Sequence, residues 1–190
     1  RDGTQGEGIS LSVDDKLKIA QKLDTLGVHY IEGGWPGSNM KDVEFFQRVK
    51  ELNLKHAKIS AFGSTRRKHI SPHEDANLNR IIETGVEVAS IFGKSWDFHV
   101  DKAIRTTLEE NLAMIFDSVQ YLKSNDLEVI YLAEHFFDGY KNNSDYAMQT
   151  IEQAQAAGAD WIVLCDTNGG CMPNEISEIV STVCEQLNVP

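Results

Sequence analysis

Two rhythms alternate along the chain. Stretches with an apolar residue every third or fourth position give way, across a glycine or polar turn, to short apolar runs. The spacing predicts a first helix over residues 12–26. Ser12 and Asp15 form a capping-box pair, Ile19, Ala20, Leu23 and Leu26 supply an apolar stripe, and Gly27 stops the helix. A strand follows at 28–32. A second helix, over 41–52 with Phe45, Phe46 and Val49 facing inward, leads to a strand at 57–62. A short helix at 77–83 passes through Gly85 to a strand at 86–92. The clearest helical period is that of Leu108, Leu112, Ile115, Phe116, Val119 and Leu122, ahead of a strand at 128–134. A helix at 146–157 ends at Gly158, a strand occupies 161–166, and a last helix spans 174–187.

Such repetition predicts parallel strands joined by right-handed crossovers in an α/β fold. A doubly wound open sheet would carry a glycine-rich phosphate loop after an early strand, and neither G-x-G-x-x-G nor a Walker pattern occurs. A (β/α)8 TIM barrel instead gathers polar residues at the C-terminal ends of many strands. Those ends carry Glu32, Ser60, Ser90 or Lys94, Glu134-His135 and Asp166-Thr167-Asn168. Charged groups closing apolar runs are costly unless paired or used on a metal or substrate, so a shared cleft is expected. A closed barrel has eight strands and eight helices in about 250 residues. Five strands and six helices are visible, with Arg1-Asp2 as the tail of another strand. The chain is therefore expected to be a partial TIM-barrel catalytic domain over residues 1–190, from the end of strand one to helix six. Most of strand one and strands seven and eight are expected to lie outside it.

The chain has 190 residues, 41% of them hydrophobic and 25% charged, as in an ordinary globular domain. A net charge of −11 argues against nucleic-acid binding. The short basic cluster Arg66-Arg67-Lys68 is expected to be a solvated loop. No apolar run reaches membrane-spanning length, and no signal peptide is visible. Three cysteines, Cys165, Cys171 and Cys184, make neither a disulfide framework nor a zinc pattern, which predicts a reducing, cytoplasmic setting.

Arg1-Asp2-Gly3-Thr4-Gln5 combines a fork that can clamp a carboxylate with a hard oxygen ligand for a divalent metal. Taken with Ile31-Glu32-Gly33-Gly34-Trp35-Pro36-Gly37, Ala133-Glu134-His135-Phe136-Phe137-Asp138-Gly139 and Leu164-Cys165-Asp166-Thr167-Asn168-Gly169-Gly170, it closely resembles one family. That family is the metal-dependent condensing enzymes and lyases, which include 2-isopropylmalate, homocitrate and citramalate synthases and hydroxymethylglutaryl-CoA lyase. The resemblance runs through the whole chain.

The resemblance implies roles for individual residues. Arg1 contacts a 2-oxo acid and stabilises developing negative charge. Asp2 is a metal ligand, Gln5 lines the site, Glu134 is an active-site glutamate, Thr167 holds the substrate carboxylate, and Glu32 has a positioning role. It also implies a divalent metal (Mg, Mn or Zn), acetyl-CoA as co-substrate, and a homodimer at full length. The family takes two further metal ligands from a His-x-His pair on strand seven. His29, His56, His69, His73, His99 and His135 form no such pair, so those ligands are expected beyond residue 190 and the isolated chain is expected to be inactive. His69 and His73 flank Pro72 and read as loop histidines.

Departures at Glu32-Gly33-Gly34-Trp35-Pro36 and Cys165-Asp166-Thr167 resemble the citramalate synthase branch, which joins pyruvate to acetyl-CoA in isoleucine biosynthesis. Leu132 and Ile91 are candidate pocket walls. The alternatives are 2-isopropylmalate or homocitrate synthesis, a lyase of the same family, and a non-catalytic interaction module.

Overall fold

In the computed structural model, which describes residues 1–190, five parallel strands form one sheet in the order β1-β2-β3-β4-β5. They are β1 (Tyr30–Gly34), β2 (Lys58–Ser64), β3 (Val88–Lys94), β4 (Glu128–Glu134) and β5 (Trp161–Leu164). The main helices are α1 (Val13–Thr25), α2 (Met40–Val49), α3 (Ala76–Glu83), α5 (Leu108–Ser124), α7 (Ser144–Ala156) and α8 (Pro173–Gln186). Two short ones, α4 (Asp97–His99) and α6 (Phe136–Asn142), sit in the segments that follow β3 and β4. Each strand pairs with the next in sequence, so the order never reverses. That is the arrangement of a barrel wall, whereas a doubly wound sheet has a switch point.

Alternation along the strands sends successive side chains to opposite faces. Ile31, Ala61, Ala89, Ile91, Val129, Tyr131 and Ala133 point toward the helices, in a core cluster of 29 buried residues. The other face is the barrel interior. There Ser60 and Ser90 share a 2.6 Å hydrogen bond, and the Phe62 and Phe92 rings stack with centroids 5.5 Å apart. Each outward Val, Ile or Tyr contributes about 1.5–3 kcal/mol of burial, which makes the wall a rigid mount for whatever its rim carries.

Several local expectations hold. Ser12 caps α1 in a capping box with Asp15, and Gly27 (φ +86°) supplies the left-handed turn that ends it. β4 has the predicted bounds. Others need correction. In α1, Ile19 and Leu26 are 43% and 78% exposed, and the inward face is Val13, Leu17, Ala20 and Asp24. Asp24 is buried because its carboxylate accepts the main-chain N–H groups of Lys55, His56 and Ala57. α4 and α6 were not expected. Gly139 inside α6 is required, since a Cβ there would run into the main-chain oxygen of Ser95.

Arg66 is also not solvated. It is 5% exposed, with its guanidinium bonded to Asp117 and Glu110. His69, in the left-handed region, and His73, in a single turn of 3-10 helix, do lie in a loop. Arg1 lies against the edge of β1, its main-chain nitrogen donating to the Glu32 carbonyl at 3.1 Å. Asp2–Gln5, however, winds into a 3-10 turn and not a strand. At the opposite edge the Ile162 N–H donates to the carbonyl of Pro190. No helix is long and apolar enough to cross a membrane.

Candidate active site

The C-terminal rim of the sheet surrounds a cavity of about 440 Å³ beside β2 and β3, and a second of about 580 Å³ over the barrel interior. Arg1, Asp2, Gln5, Glu134 and Thr167 all line the second. Its floor is Phe62, Phe92 and Leu132, with Trp35 and Cys165 on the walls. These come from different strands because residues of matching parity at neighbouring strand ends face the same interior.

Arg1 is held from two sides. Its Nε donates to Glu32 Oε2 at 3.0 Å, and its guanidinium carbon lies 3.7 Å from the centre of the Phe62 ring. Trp35 in turn packs edge-on against Phe62 and Phe92 at 5.6 and 5.9 Å, and its Nε1 donates to Asn77 at 2.6 Å. A guanidinium fixed by a carboxylate and a ring face keeps its remaining N–H donors aimed, ready for a planar anion. Glu32 therefore stands behind Arg1 and does not line the cavity.

The other groups are placed by their turns. His135 adopts a left-handed conformation (φ +55°), which is uncommon for a residue with a side chain. Its N–H donates to Thr167 Oγ1 at 2.9 Å, and its Nδ1 lies 2.9 Å from Asp138 Oδ2. Thr167 thus uses an acceptor position on His135 and keeps its own proton to donate. Asp166 accepts the Gly170 and Cys171 N–H groups, which hold its carboxyl below the usual range; it shapes the loop. Glu134 pairs with Lys94, its register partner on β3.

Burial, reinforced by the charges of Glu134 and Glu32, pushes the Cys165 thiol up to about 11, so it remains protonated and is no nucleophile. Burial, then His135 and Lys94, lower the basicity of His99 and keep it neutral near pH 7. Asp2 has an 83% exposed side chain whose only ionic contact is Arg1 at 3.6 Å. It is open to a cation, but nowhere in the chain do three His, Cys, Asp or Glu gather as a metal cluster.

The HMGL-like family pattern matches residues 1–190. The chain belongs to the HMGL-like family. It is 60% identical over its full length to an (R)-citramalate synthase of Geobacter sulfurreducens, covering 36% of that protein. It is 57% identical to that of Aquifex aeolicus over 98% of the chain and 35% of the relative. A 2-isopropylmalate synthase of Sulfolobus acidocaldarius is 34% identical, over 96% of the chain and 45% of the relative. The hydroxymethylglutaryl-CoA lyase structure from Pseudomonas aeruginosa superposes with a TM-score of 0.77 at 17% identity, over 98% of this chain and 62% of that one, which establishes a shared barrel fold. The chain spans about a third of the length of these two (R)-citramalate synthases.

Within this HMGL-like fold, Arg1, Asp2, Gln5, Glu134 and Thr167 converge on one cavity, and Asp166 joins them. Of the other strand-end residues named from sequence, Glu32 stands behind Arg1, Lys94 lines the smaller cavity, Ser60 and Ser90 are buried against each other lower in the interior, and His135 and Asn168 line neither cavity. Ile91, a candidate wall, is fully buried under the helices, and Phe92 takes the place on the floor. Sequence reasoning also missed Phe62 and Trp35. A signal for the two rings was parity: Phe62 and Phe92 lie two residues after Ser60 and Ser90 on their strands and so share a face with them.

Proposed function

We propose that the full-length protein condenses acetyl-CoA with a 2-oxo acid, pyruvate by preference, to give citramalate. The chain is the part of a barrel catalytic domain that carries the acid clamp. One observation carries this reading: a fixed guanidinium and a free hydroxyl donor stand over a floor of Phe62, Phe92 and Leu132. That arrangement suits a carboxylate on one side and a small apolar group on the other. The identities to (R)-citramalate synthases support it, being well above that to the 2-isopropylmalate synthase.

In this reading Arg1 and Thr167 hold the carboxylate, and Gln5 lines the entrance. Glu134 takes a proton from the acetyl methyl group. As the new carbon–carbon bond forms, charge accumulates on the ketone oxygen beside Arg1, which favours the transition state over the ground state. Asp2 would provide one ligand to a divalent cation (Mg, Mn or Zn), the remaining ligands coming from a His-x-His pair beyond Pro190. Such a cation, when bound, supplies Lewis acidity and a template for the oxo acid. The phenyl rings under the acid discriminate by size, at about 1–3 kcal/mol per methylene. The full-length protein is expected to act as a homodimer in the cytoplasm.

The test is CoA release by the full-length protein across a panel of 2-oxo acids, with and without divalent metal. Release is expected with pyruvate and metal together. No release with any oxo acid overturns the reading, and acetoacetate from hydroxymethylglutaryl-CoA would establish a lyase instead.

A further inference from the structure

The Lys94–Glu134 pair stands at the junction of the two rim cavities. Lys94 lines the smaller and Glu134 the larger, while Phe92 borders both. The smaller one, about 440 Å³, has an apolar wall of Ile70, Phe92, Ile104 and Met114, with Arg67 and Lys68 exposed at its edge. An ammonium has three N–H donors. The Lys94 Nζ spends one on Glu134, has no other protein partner, and lies 5.5 Å from the centre of the Phe92 ring. The Lys94 side chain is 19% exposed and that of Glu134 26%, so this is a sheltered pair with open valences. Asn111 donates to the Lys94 carbonyl at 2.8 Å and fixes the backbone beneath it.

We propose that Lys94 is a catalytic residue, and that the smaller cavity receives the thioester arm of the acyl donor. This rests on the condensation reading above. The donor's thioester oxygen accepts a free N–H of Lys94 while its methyl group faces Glu134. The Glu134 carboxylate removes a methyl proton, the C–H electrons form the enolate double bond, and the carbonyl pair becomes the enolate oxygen. The methylene carbon then attacks the ketone carbon of the 2-oxo acid in the larger cavity. The thioester carbonyl re-forms and the ketone oxygen takes the charge beside Arg1, then a proton; water hydrolyses the resulting thioester, its C–S bond breaking to release CoA and leave citramalate. Throughout the first step one negative charge remains next to the ammonium: it starts on Glu134 and ends on the enolate oxygen. A cation placed between those two sites stabilises the charge where it develops with no reorganisation, which is the condition for electrostatic catalysis.

The test compares Lys94→Met, Lys94→Gln and Lys94→Arg in the full-length protein. It follows CoA release with acetyl-CoA and pyruvate, and deuterium uptake into the acetyl methyl group. Lys94→Met and Lys94→Gln are expected to lower kcat about 100-fold or more, with methyl exchange falling in step and KM for pyruvate within about threefold. Lys94→Arg is expected to recover about tenfold over Gln, because it restores the charge but not the compact ammonium. If Met does not fold, the Gln and Arg pair carries the comparison. The assignment is overturned if Gln retains kcat within about threefold, if the loss lies only in KM for pyruvate, or if Arg is no better than Gln. A wild-type protein that releases no CoA overturns the condensation reading and Lys94's role with it, whereas an active wild type with active variants overturns Lys94 alone.

Discussion

β4 carries a glutamate at each end, and both pair with a lysine on the inner face of the sheet, Glu128 with Lys58 of β2 and Glu134 with Lys94 of the neighbouring β3. At the lower end Glu128 accepts Lys58 Nζ at 2.6 Å, Trp161 Nε1 at 3.1 Å and the Tyr30 hydroxyl. At the upper end Glu134 accepts Lys94 and no other protein donor. The lower carboxylate takes three donors, one each from β1, β2 and β5. Burial works to raise its pKa, but the bonds from Lys58, Tyr30 and Trp161 outweigh that and hold it below the usual range. A carboxylate bonded to three other strands locks them together and has little left for a substrate. The upper pair keeps open positions beside two cavities. What separates structure from chemistry here is the number of donors, since the residue types are the same.

The two ends should therefore respond differently to change. The largest effect belongs to Asp2 at the upper rim. Asp2→Ala is expected to remove metal-dependent turnover, about 10³-fold or more, with an unchanged melting temperature because its side chain is 83% exposed; retained activity would take Asp2 out of the metal site. Arg1→Lys comes next. A lysine cannot reproduce the fork held by Glu32 and Phe62, so kcat/KM for pyruvate should fall about 10²-fold, a loss that steady-state kinetics reads directly. Phe92→Leu enlarges the floor and should shift the kcat/KM ratio toward a branched 2-oxo acid by about tenfold, while an unshifted ratio would place specificity elsewhere.

The smallest effect is at the lower end. Glu128→Gln is expected to cost about 1–2 kcal/mol in urea unfolding. The sign with pH follows from linkage. The folded Glu128 pKa lies below its ordinary 4.5, so its stabilisation is complete above that value and is lost as pH falls through the folded pKa. The difference between wild type and Glu128→Gln should be full at about pH 6 and shrink below about pH 4.5. A constant difference down to acid pH would refute the lower-end account.

How much of this was legible depends on which physical rule each residue obeys. β4 was readable because Val129, Ile130, Tyr131, Leu132 and Ala133 form an apolar run between two charges, and both faces of a parallel strand are covered. The inward face of α1 was misread because buried Asp24 looks polar, and only the folded loop at Lys55–Ala57 supplies the N–H groups that satisfy it. α6 was missed because Gly139 looks like a breaker, while the structure needs it for the approach to Ser95. Five of the candidate site residues meet at one cavity because the Arg1–Gln5 turn and the ends of β4 and β5 share a rim. Glu32 does not, since its partner is Arg1. The floor was harder to read, because Phe62 and Phe92 on the inner face look no different from the apolar residues beneath the helices.

The central claim is that the upper pair of β4 does chemistry and the lower pair holds the wall. Paired measurement of kcat and unfolding free energy for Glu134→Gln and Glu128→Gln in the full-length protein tests it most directly. Glu134→Gln should lose about 10²–10⁴-fold in kcat with stability unchanged within about 0.5 kcal/mol. Glu128→Gln should lose stability and retain kcat within about threefold. If both variants lose activity and stability together, or if Glu134→Gln turns over like the wild type, the two ends of β4 are not divided in this way.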